Sequence, residues 1–286
     1  MKNNILTTEL QSPETIQFTY DSQKRKSPAF EELLDIIEYR DLIFQLVRRD
    51  IVARYKRSVL GIAWTMLQPL GMMLVMNIVF SRLFGRVEGY AAYLLSGLVA
   101  WTFFAQTTTA AIHQSVWGGA LIRRIYIPHT SFSVSSIGTG VINLTLSLVP
   151  LLFIMLITHR AISWTILLIP IAILVLATFA LGVGLLLSTL AVQFPDISEM
   201  YTIVIQAWMY LTPIIYPADI VPIEYRFWLL HLNPMYYMIT IFRDLIYEGT
   251  VPSFYIMAAG SAISFLTLVI GWVVFASRAD KLAYIA

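Results

Sequence analysis

The hydrophobic and polar positions divide this chain into a polar beginning, one amphipathic stretch and a series of long apolar runs. Residues 1–27 are polar and irregular, which predicts a mobile tail. From Phe30 to Val47, apolar residues recur at roughly helical spacing among charged ones, so we expect an amphipathic helix that starts near Pro28. It is too charged to cross a bilayer and is suited to lie along its surface. Basic residues follow, so 28–57 is predicted to be an interfacial helix and a basic elbow.

Six apolar runs occupy most of residues 58–280. Most are at or above the roughly 20 residues that a helix needs to cross the hydrocarbon core of a bilayer. The fifth is shorter and is interrupted at Pro213. The pattern therefore predicts an all-α, polytopic membrane protein with six transmembrane helices. The runs are 60–83, 90–112, 134–157, 163–191, 199–216 and 254–276.

Lysine and arginine residues are distributed unequally between the two sides that six spans define. The side that holds both termini would carry fourteen of them, and the opposite side five. Cytosolic loops carry the excess of positive charge in membrane proteins, so we expect both termini in the cytosol. The tail at 1–27 would then be cytosolic, and the connection between the fifth and sixth runs would be external.

That external connection contains two short helical patterns, near 223–232 and 235–247, which are divided by Asn233 and Pro234. Each is too short to span a bilayer, so we expect re-entrant helices at about 218–250 whose backbone is buried by protein. This segment is predicted to act as an external gate. The candidate gate residues are Pro213, Pro217, Asn233, Pro234 and Arg243.

Composition agrees with a membrane protein and narrows the possible chemistry. The chain is 58% hydrophobic and 13% charged, whereas soluble domains have roughly 45–50% apolar and about 25% charged residues. The absence of cysteine excludes disulfides and thiolate metal sites. The net charge of only +2 gives no indication of nucleic-acid binding.

The sequence lacks the motifs of an ATPase or of a common hydrolase. It contains no G-x-x-x-x-G-K-[ST] loop to hold nucleotide phosphates, no H-E-x-x-H and no G-x-S-x-G. Ionisable side chains in mid-span would indicate an ion-driven carrier, and none of the six runs carries one in its middle. We therefore expect no catalytic site and no cofactor in this chain, and an external source of energy.

Aromatic side chains lie inside several runs rather than only at their ends. Such rings can pack against the C–H faces of sugars, which predicts a path for a sugar chain; ordinary helix packing is the alternative. The candidate path residues are Trp101, Phe104, Trp208, Tyr210 and Tyr216. Polar residues within the runs offer either substrate contacts or hydrogen bonds between helices. They are Gln68, Asn77, Gln106, Asn143 and Gln206.

Basic residues cluster on the predicted cytosolic side. They could bind anionic lipid headgroups, or they could receive a diphosphate headgroup from the cytosolic leaflet, since arginine offers bidentate contacts to phosphate. The candidate residues for this second role are Arg54, Lys56, Arg57, Arg123 and Arg124.

Four segments together resemble the membrane subunits of type-2 ABC exporters, specifically the permeases that export O-antigen, teichoic acid and capsule polysaccharides. They occur in the order found in that family. The segments are RDIVARYKRSVLGIAWTMLQPL at 49–70, RRIYIPHTSFSVSS at 123–136, WMYLTPIIYP at 208–217 and LNPMYYMITIFRDLIYEGTVP at 232–252.

The resemblance implies a homodimer in the bacterial inner membrane, driven by two soluble ABC ATPase subunits that hold ATP and magnesium. The implied substrate is a lipid-diphosphate-linked glycan. Two alternative functions remain: a type-2 exporter of drugs or lipids, and a polytopic glycosyl- or acyltransferase. His129 departs from the family, which often has arginine or lysine there. The residues implied to contact the ATPases are Leu42, Arg48, Arg49, Trp117, Ile127 and Pro128.

Overall fold

The computed structural model describes residues 28–56, 58–117 and 130–278. Every regular element within these ranges is helical, which confirms the all-α prediction for this part of the chain. The side chain of Trp117 is not described. The predicted tail at 1–27 and five candidate residues also lie outside the described ranges, namely Arg57, Arg123, Arg124, Ile127 and Pro128.

Ten α-helices are formed by the described residues, and short 3₁₀ or π turns adjoin several of them. The turns are Trp164–Leu168, Ala218–Ile220, Phe227–His231 and Asp244–Glu248. The helices are α1 Pro28–Glu38, α2 Arg40–Tyr55, α3 Ala63–Phe80, α4 Tyr90–Trp117, α5 Thr130–Ile157, α6 Ile169–Gln193, α7 Asp196–Leu211, α8 Ile223–Arg226, α9 Pro234–Arg243 and α10 Phe254–Ala276.

Four helical segments are long and apolar enough to cross a membrane: α3, α5, α6 together with the turn before it, and α10. Helix α4 has 28 residues, about 42 Å, but Gln106 and the three threonines that follow it make it less apolar. Helix α7 has only 16 residues, because the chain leaves the helix at Thr212, before Pro213. The fold is therefore a multi-pass helical bundle with four clear candidate spans.

Helix α4 lies at the centre of the bundle. It packs against α3, α5, α6, α7 and α9, and all its residues from Ala92 to Trp101 are buried. A helix that is apolar on all sides is stable only where protein or lipid surrounds it, and here protein does so. These residues of α4 therefore form part of the core of the bundle.

Helices α6 and α10 approach each other at two glycines. A Cβ atom at Gly271 would lie 2.2 Å from the carbonyl oxygen of Gly182, and one at Gly182 would lie 2.5 Å from the backbone nitrogen of Leu268. Small residues at such crossings allow direct contact between backbones, the usual way in which membrane helices gain packing energy. This crossing fixes α10 on the bundle.

The amphipathic stretch differs from the single helix that its pattern predicts. It is divided at Tyr39 into α1 and α2, and α2 continues to Tyr55. Arg48, Arg49 and Arg54 therefore belong to α2, and Lys56 follows its end in an extended conformation, whereas the elbow as a whole stays a prediction. Leu46 and Val47 are buried, Leu46 packs against Phe132 of α5, and α2 as a whole rests on α5.

Candidate functional site

Three of the five candidate path residues pack against one another inside the bundle. The ring of Trp208 lies 6.0 Å from that of Trp101 and 5.4 Å from that of Phe104, centroid to centroid, with edge-to-face geometry. Trp101 and Phe104 are buried, with 5% and 0% of their surface exposed. Such a cluster stabilises the packing of α4 on α7. Burial favours the helix-packing alternative for Trp101 and Phe104, and their role in a path stays a prediction.

The other two candidate path residues lie at the surface or near it. Tyr210 on α7 is 58% exposed. The hydroxyl of Tyr216, which is partly buried, donates to the carbonyl of Tyr210 at 3.1 Å. The structure therefore separates the aromatic candidates into an inner cluster and an outer pair at the end of α7.

The turn that follows α7, residues 212–217, is held by the buried side chain of Arg243, and we call it the carbonyl turn. Nη1 of Arg243 donates to the carbonyl of Pro213 at 3.1 Å, and Nη2 donates to that of Ile214 at 3.3 Å. Nη1 also donates to the hydroxyl of Tyr93 at 2.8 Å, and the guanidinium carbon lies 3.7 Å from the centroid of that ring. A buried cation is stabilised here by carbonyl dipoles and an aromatic face.

Two tyrosines at the start of α4 bind the rest of the carbonyl turn. The hydroxyl of Tyr90 donates to the carbonyl of Ile215 at 2.7 Å, and that of Tyr93 donates to the carbonyl of Tyr216 at 3.0 Å. Together with the contacts of Arg243, four consecutive carbonyl groups accept hydrogen bonds from side chains of α4 and α9. The turn is therefore fixed to both helices.

Asn233, in the middle of the gate segment at about 218–250, connects that segment to α7. Its Oδ1 accepts hydrogen bonds from Nε1 of Trp208 at 2.9 Å and from the backbone nitrogen of Met235 at 3.1 Å. Its Nδ2 donates to the hydroxyl of Thr212 at 3.0 Å. Asn233 thus caps the N-terminus of α9, with Pro234 in the first helical turn, and anchors that helix to α7.

The structure brings three of the five gate candidates into one network, namely Pro213, Asn233 and Arg243. Pro217 precedes a short 3₁₀ turn, and Pro234 begins α9. The predicted division at Asn233 and Pro234 is also the point at which the two short helical segments separate. The sequence did not indicate that Tyr90 and Tyr93 belong to this network. The available signal was their spacing of three residues, which puts both side chains on one face of a helix.

Charged side chains surround this end of the bundle. Nη1 of Arg160 lies 3.1 Å from Oε2 of Glu88, and Nη2 lies 3.7 Å from Oε2 of Glu248. Asp244 lies outside the membrane-spanning helices, and burial raises its pKa to about 6, with Glu248 adding to the rise and Arg243 opposing it. Among the described residues no carboxylate forms an ion pair with Arg243, so its direct partners are the two carbonyl groups and Tyr93.

The sequence pattern of one protein family, described as "ABC-2 type transporter", matches residues 41–247, well over half of the chain. The match includes nearly all of α2, the central helix α4 and the gate segment up to residue 247. This chain belongs to the ABC-2 transporter family. It is therefore a multi-pass membrane component of a transporter and not an enzyme, and its family works with an ABC ATPase partner.

Several relatives of this ABC-2 transporter match it almost from end to end. It is 28% identical to the O-antigen export system permease protein RfbA of Myxococcus xanthus, covering 87% of this chain and 96% of the relative. It is 28% identical to a protein of the same name from Klebsiella pneumoniae, with 85% and 93% covered. It is 20% identical to the polysialic acid transport protein KpsM of Escherichia coli, with 83% and 93% covered.

The coupling candidates of this ABC-2 transporter whose side chains are described lie on α2. Arg48 and Arg49 are exposed, whereas Leu42 is partly buried and packs with Leu46 and Phe132. Arg48 and Arg49 are therefore accessible at the surface of α2, and Leu46 attaches the same helix to α5. Contact of these residues with an ATPase stays a prediction.

Two of the candidate residues for receiving a headgroup, Arg54 and Lys56, are exposed at the C-terminal end of α2. The hydroxyl of Tyr55, between them, donates to Oδ1 of Asn143 at 3.2 Å and also contacts the hydroxyl of Thr65. These contacts hold the end of α2 beside α3 and α5. Both basic side chains thus extend from a fixed backbone toward the surroundings.

Proposed function

We propose that this chain is the membrane subunit of an ATP-driven exporter that moves a lipid-linked polysaccharide from the cytosolic side across the bacterial inner membrane. The observation that carries the proposal is the similarity to O-antigen export permeases over more than four fifths of the chain. The more distant similarity to a polysialic acid transport protein supports the same substrate class. ATP and magnesium would bind to a separate ATPase subunit.

In the proposed assembly, two copies of this chain pair in the membrane and bind two soluble ATPase subunits. Six spans would comprise α3, α4, α5, α6 with the turn before it, α7 with the carbonyl turn, and α10. An even number places both termini on one side, and the excess of basic residues there makes that side cytosolic. Helix α2 would lie at the cytosolic surface, and α8 and α9 would form the external gate.

The proposed coupling starts at α2. Closure of the ATPase subunits would push on α2 at the exposed side chains of Arg48 and Arg49. Because Leu46 is buried against Phe132, the push would pass to α5, whose contacts with α4 extend it through the bundle. The loop between α4 and α5 would provide the second contact with the ATPases. The helices would move as rigid bodies, since packed interfaces shift between discrete arrangements rather than deform.

The exposed face of α7 supports a path for the glycan better than the inner aromatic cluster does. Met200, Ile203 and Val204 are more than half exposed on this helix, as is Tyr210 near its end. Tyr216 and the carbonyl turn follow directly. We place the path along this face, with the inner ring cluster of Trp101, Phe104 and Trp208 supporting α7 from behind.

Deletion of the gene in its host tests the proposal. Surface polysaccharide in extracts separated on gels should fall below detection, while lipid-linked glycan accumulates inside the cells, and a plasmid copy of the wild-type gene should restore export. Wild-type amounts of surface polysaccharide in the deletion strain would contradict the proposed function. Wild-type amounts of surface polysaccharide together with a loss of drug efflux would instead identify an exporter of drugs.

A further inference from the structure

A polar cleft enters the bundle between α2, α3, α4 and α5. It has two adjoining parts, of about 240 Å³ and about 550 Å³, which share Arg54, Thr65, Gln106 and Ala110 in their walls. Most of the side chains that line the smaller part carry hydroxyl, amide or charged groups. In a chain that is 58% hydrophobic, this concentration of polar groups requires an explanation.

The cleft extends far into the bundle. Asn143, in its wall, follows the start of α5 at Thr130 by 13 residues, which is about 20 Å along the helix axis. The hydrocarbon core of a bilayer is about 30 Å thick, so polar side chains reach toward mid-membrane depth. Polar groups at that depth are costly, and they commonly mark the path of a polar substrate.

The polar groups form matching stripes on two facing helices. On α4, Thr102, Gln106, Thr109 and His113 recur at intervals of three or four residues and therefore share one face. Two positions on α3, Trp64 and Gln68, are separated by one helical turn and face the same space. A wall built in this way is a continuous feature of both helices rather than a chance group of polar residues.

Two buried polar atoms in the wall of the cleft have no hydrogen-bond partner among the described residues. Oγ1 of Thr139, a residue that is 6% exposed, is buried in the wall without a hydrogen-bond partner among the described residues. The same is true of Oε1 of Gln114, although its Nε2 donates to Oδ2 of Asp50 at 2.9 Å. Buried polar atoms without partners are unfavourable, so a ligand with hydroxyl groups, or water, would stabilise this region.

The amide groups at the wider part of the cleft are paired but accessible. Nε2 of Gln106 donates to Oε1 of Gln68 at 2.9 Å, and this contact is exposed. Each amide retains further donor and acceptor positions, which suit the adjacent hydroxyl groups of a sugar ring. Trp64 is 57% exposed beside them and offers an aromatic face to the C–H groups of a sugar. Arg54 lies in the same wall and can bind phosphate oxygens.

We propose that the polar cleft binds the sugar residues next to the diphosphate of the lipid-linked glycan. Gln68, Gln106 and Thr139 contact sugar hydroxyl groups, Trp64 packs against a sugar face, and Arg54 binds the diphosphate. This inference rests on the proposed function, since it assigns a position to the substrate of that exporter. It places the first sugars between α3 and α4, away from the inner aromatic cluster.

Cysteine labelling tests occupancy, because the natural chain contains no cysteine. Thr109→Cys introduces one thiol into the cleft, and Thr145→Cys introduces one on the exposed outer face of α5 as a matched control. Inside-out membrane vesicles would be treated with a charged, water-soluble methanethiosulfonate. The vesicles would come from cells that make the glycan and from cells that lack its initiating glycosyltransferase, which keep the same membrane phospholipids.

Thr109→Cys should react quickly in vesicles without glycan and several-fold more slowly in vesicles with it, whereas Thr145→Cys should react slowly in both. Equal labelling of Thr109→Cys in the two kinds of vesicle would show a cleft filled by water or phospholipid and would overturn the inference. The proposed function would still stand in that case if the wild-type gene restored export to the deletion strain.

Export provides the second readout. Gln68→Leu combined with Gln106→Leu should reduce surface polysaccharide about tenfold, since hydrogen bonds to the glycan are lost and each is worth about a factor of ten or less. Thr145→Leu, which removes a polar group on the exposed outer face of α5 outside the cleft, should leave export unchanged. Normal export by the double variant would overturn the inference. Where the double variant fails to accumulate in the membrane, the labelling comparison alone decides.

Discussion

Replacing Arg243 with methionine should abolish export and lower the thermal unfolding temperature of the purified protein. The guanidinium donates to the carbonyl groups of Pro213 and Ile214 and to the hydroxyl of Tyr93, at a site that is 9% exposed. Methionine fills a similar volume but leaves these buried acceptors without donors. Such groups cost about 1–3 kcal/mol each, so from the two carbonyl groups alone we expect a loss of about 2–6 kcal/mol and a displaced carbonyl turn.

Arg226→Met is the matched control for this change. Its guanidinium also donates to two backbone carbonyls, those of Val221 at 2.9 Å and Asp219 at 2.8 Å. Arg226 is only partly buried, so water can replace the lost donors, and we expect little change in stability. Thermal unfolding in detergent and surface polysaccharide would be measured for both variants. A stable, exporting Arg243→Met protein would show that the carbonyl turn does not depend on Arg243.

Replacing Gly271 with alanine should cause the second large effect, a loss of stability of about 3 kcal/mol. The added methyl carbon would lie 2.2 Å from the carbonyl oxygen of Gly182, so either α6 or α10 would have to move. No flexible side chain can yield at this contact, because the atoms on the opposite helix belong to the backbone. We expect reduced accumulation in the membrane and a lower unfolding temperature in detergent.

Gly71→Ala makes the same chemical change where it should be harmless. A Cβ atom at Gly71, in α3, would meet nothing within 4 Å. Alanine favours the helix over glycine by about 1 kcal/mol, so this variant should be as stable as the natural protein or slightly more stable. If both alanine variants unfold at the same temperature, the protein does not have the close backbone contact between α6 and α10 that is described above.

The positions of the long helices could be predicted well from the sequence, because apolar runs with clear ends are local features. The last run at 254–276 coincides with α10, and the first at 60–83 contains α3. The division at Asn233 and Pro234 was also evident, since proline and an N-capping asparagine favour a helix start. The interruption of the amphipathic helix at Tyr39 was not evident from the sequence, because no glycine or proline marks it.

The gate network could be predicted only in part. Arg243 and Asn233 are unusual residues in an apolar environment, so the sequence pointed to them. Their partners are distant in the chain: Tyr93 precedes Arg243 by 150 residues, and periodicity carries no information about such contacts. Whether Trp101 and Phe104 pack against other helices or line a path stayed open for a related reason, since periodicity within α4 does not show which helix covers each side of it.

Transport by this chain should depend on ATP hydrolysis by a separate subunit, and reconstitution into liposomes measures this most directly. With its ATPase partner and lipid-linked glycan, the protein should move glycan when ATP is added. Movement should stop with a non-hydrolysable ATP analogue and should continue when ion gradients are abolished. The purified chain alone should hydrolyse no ATP. ATP hydrolysis by the chain alone, or glycan movement driven by an ion gradient without ATP, would contradict the proposed function.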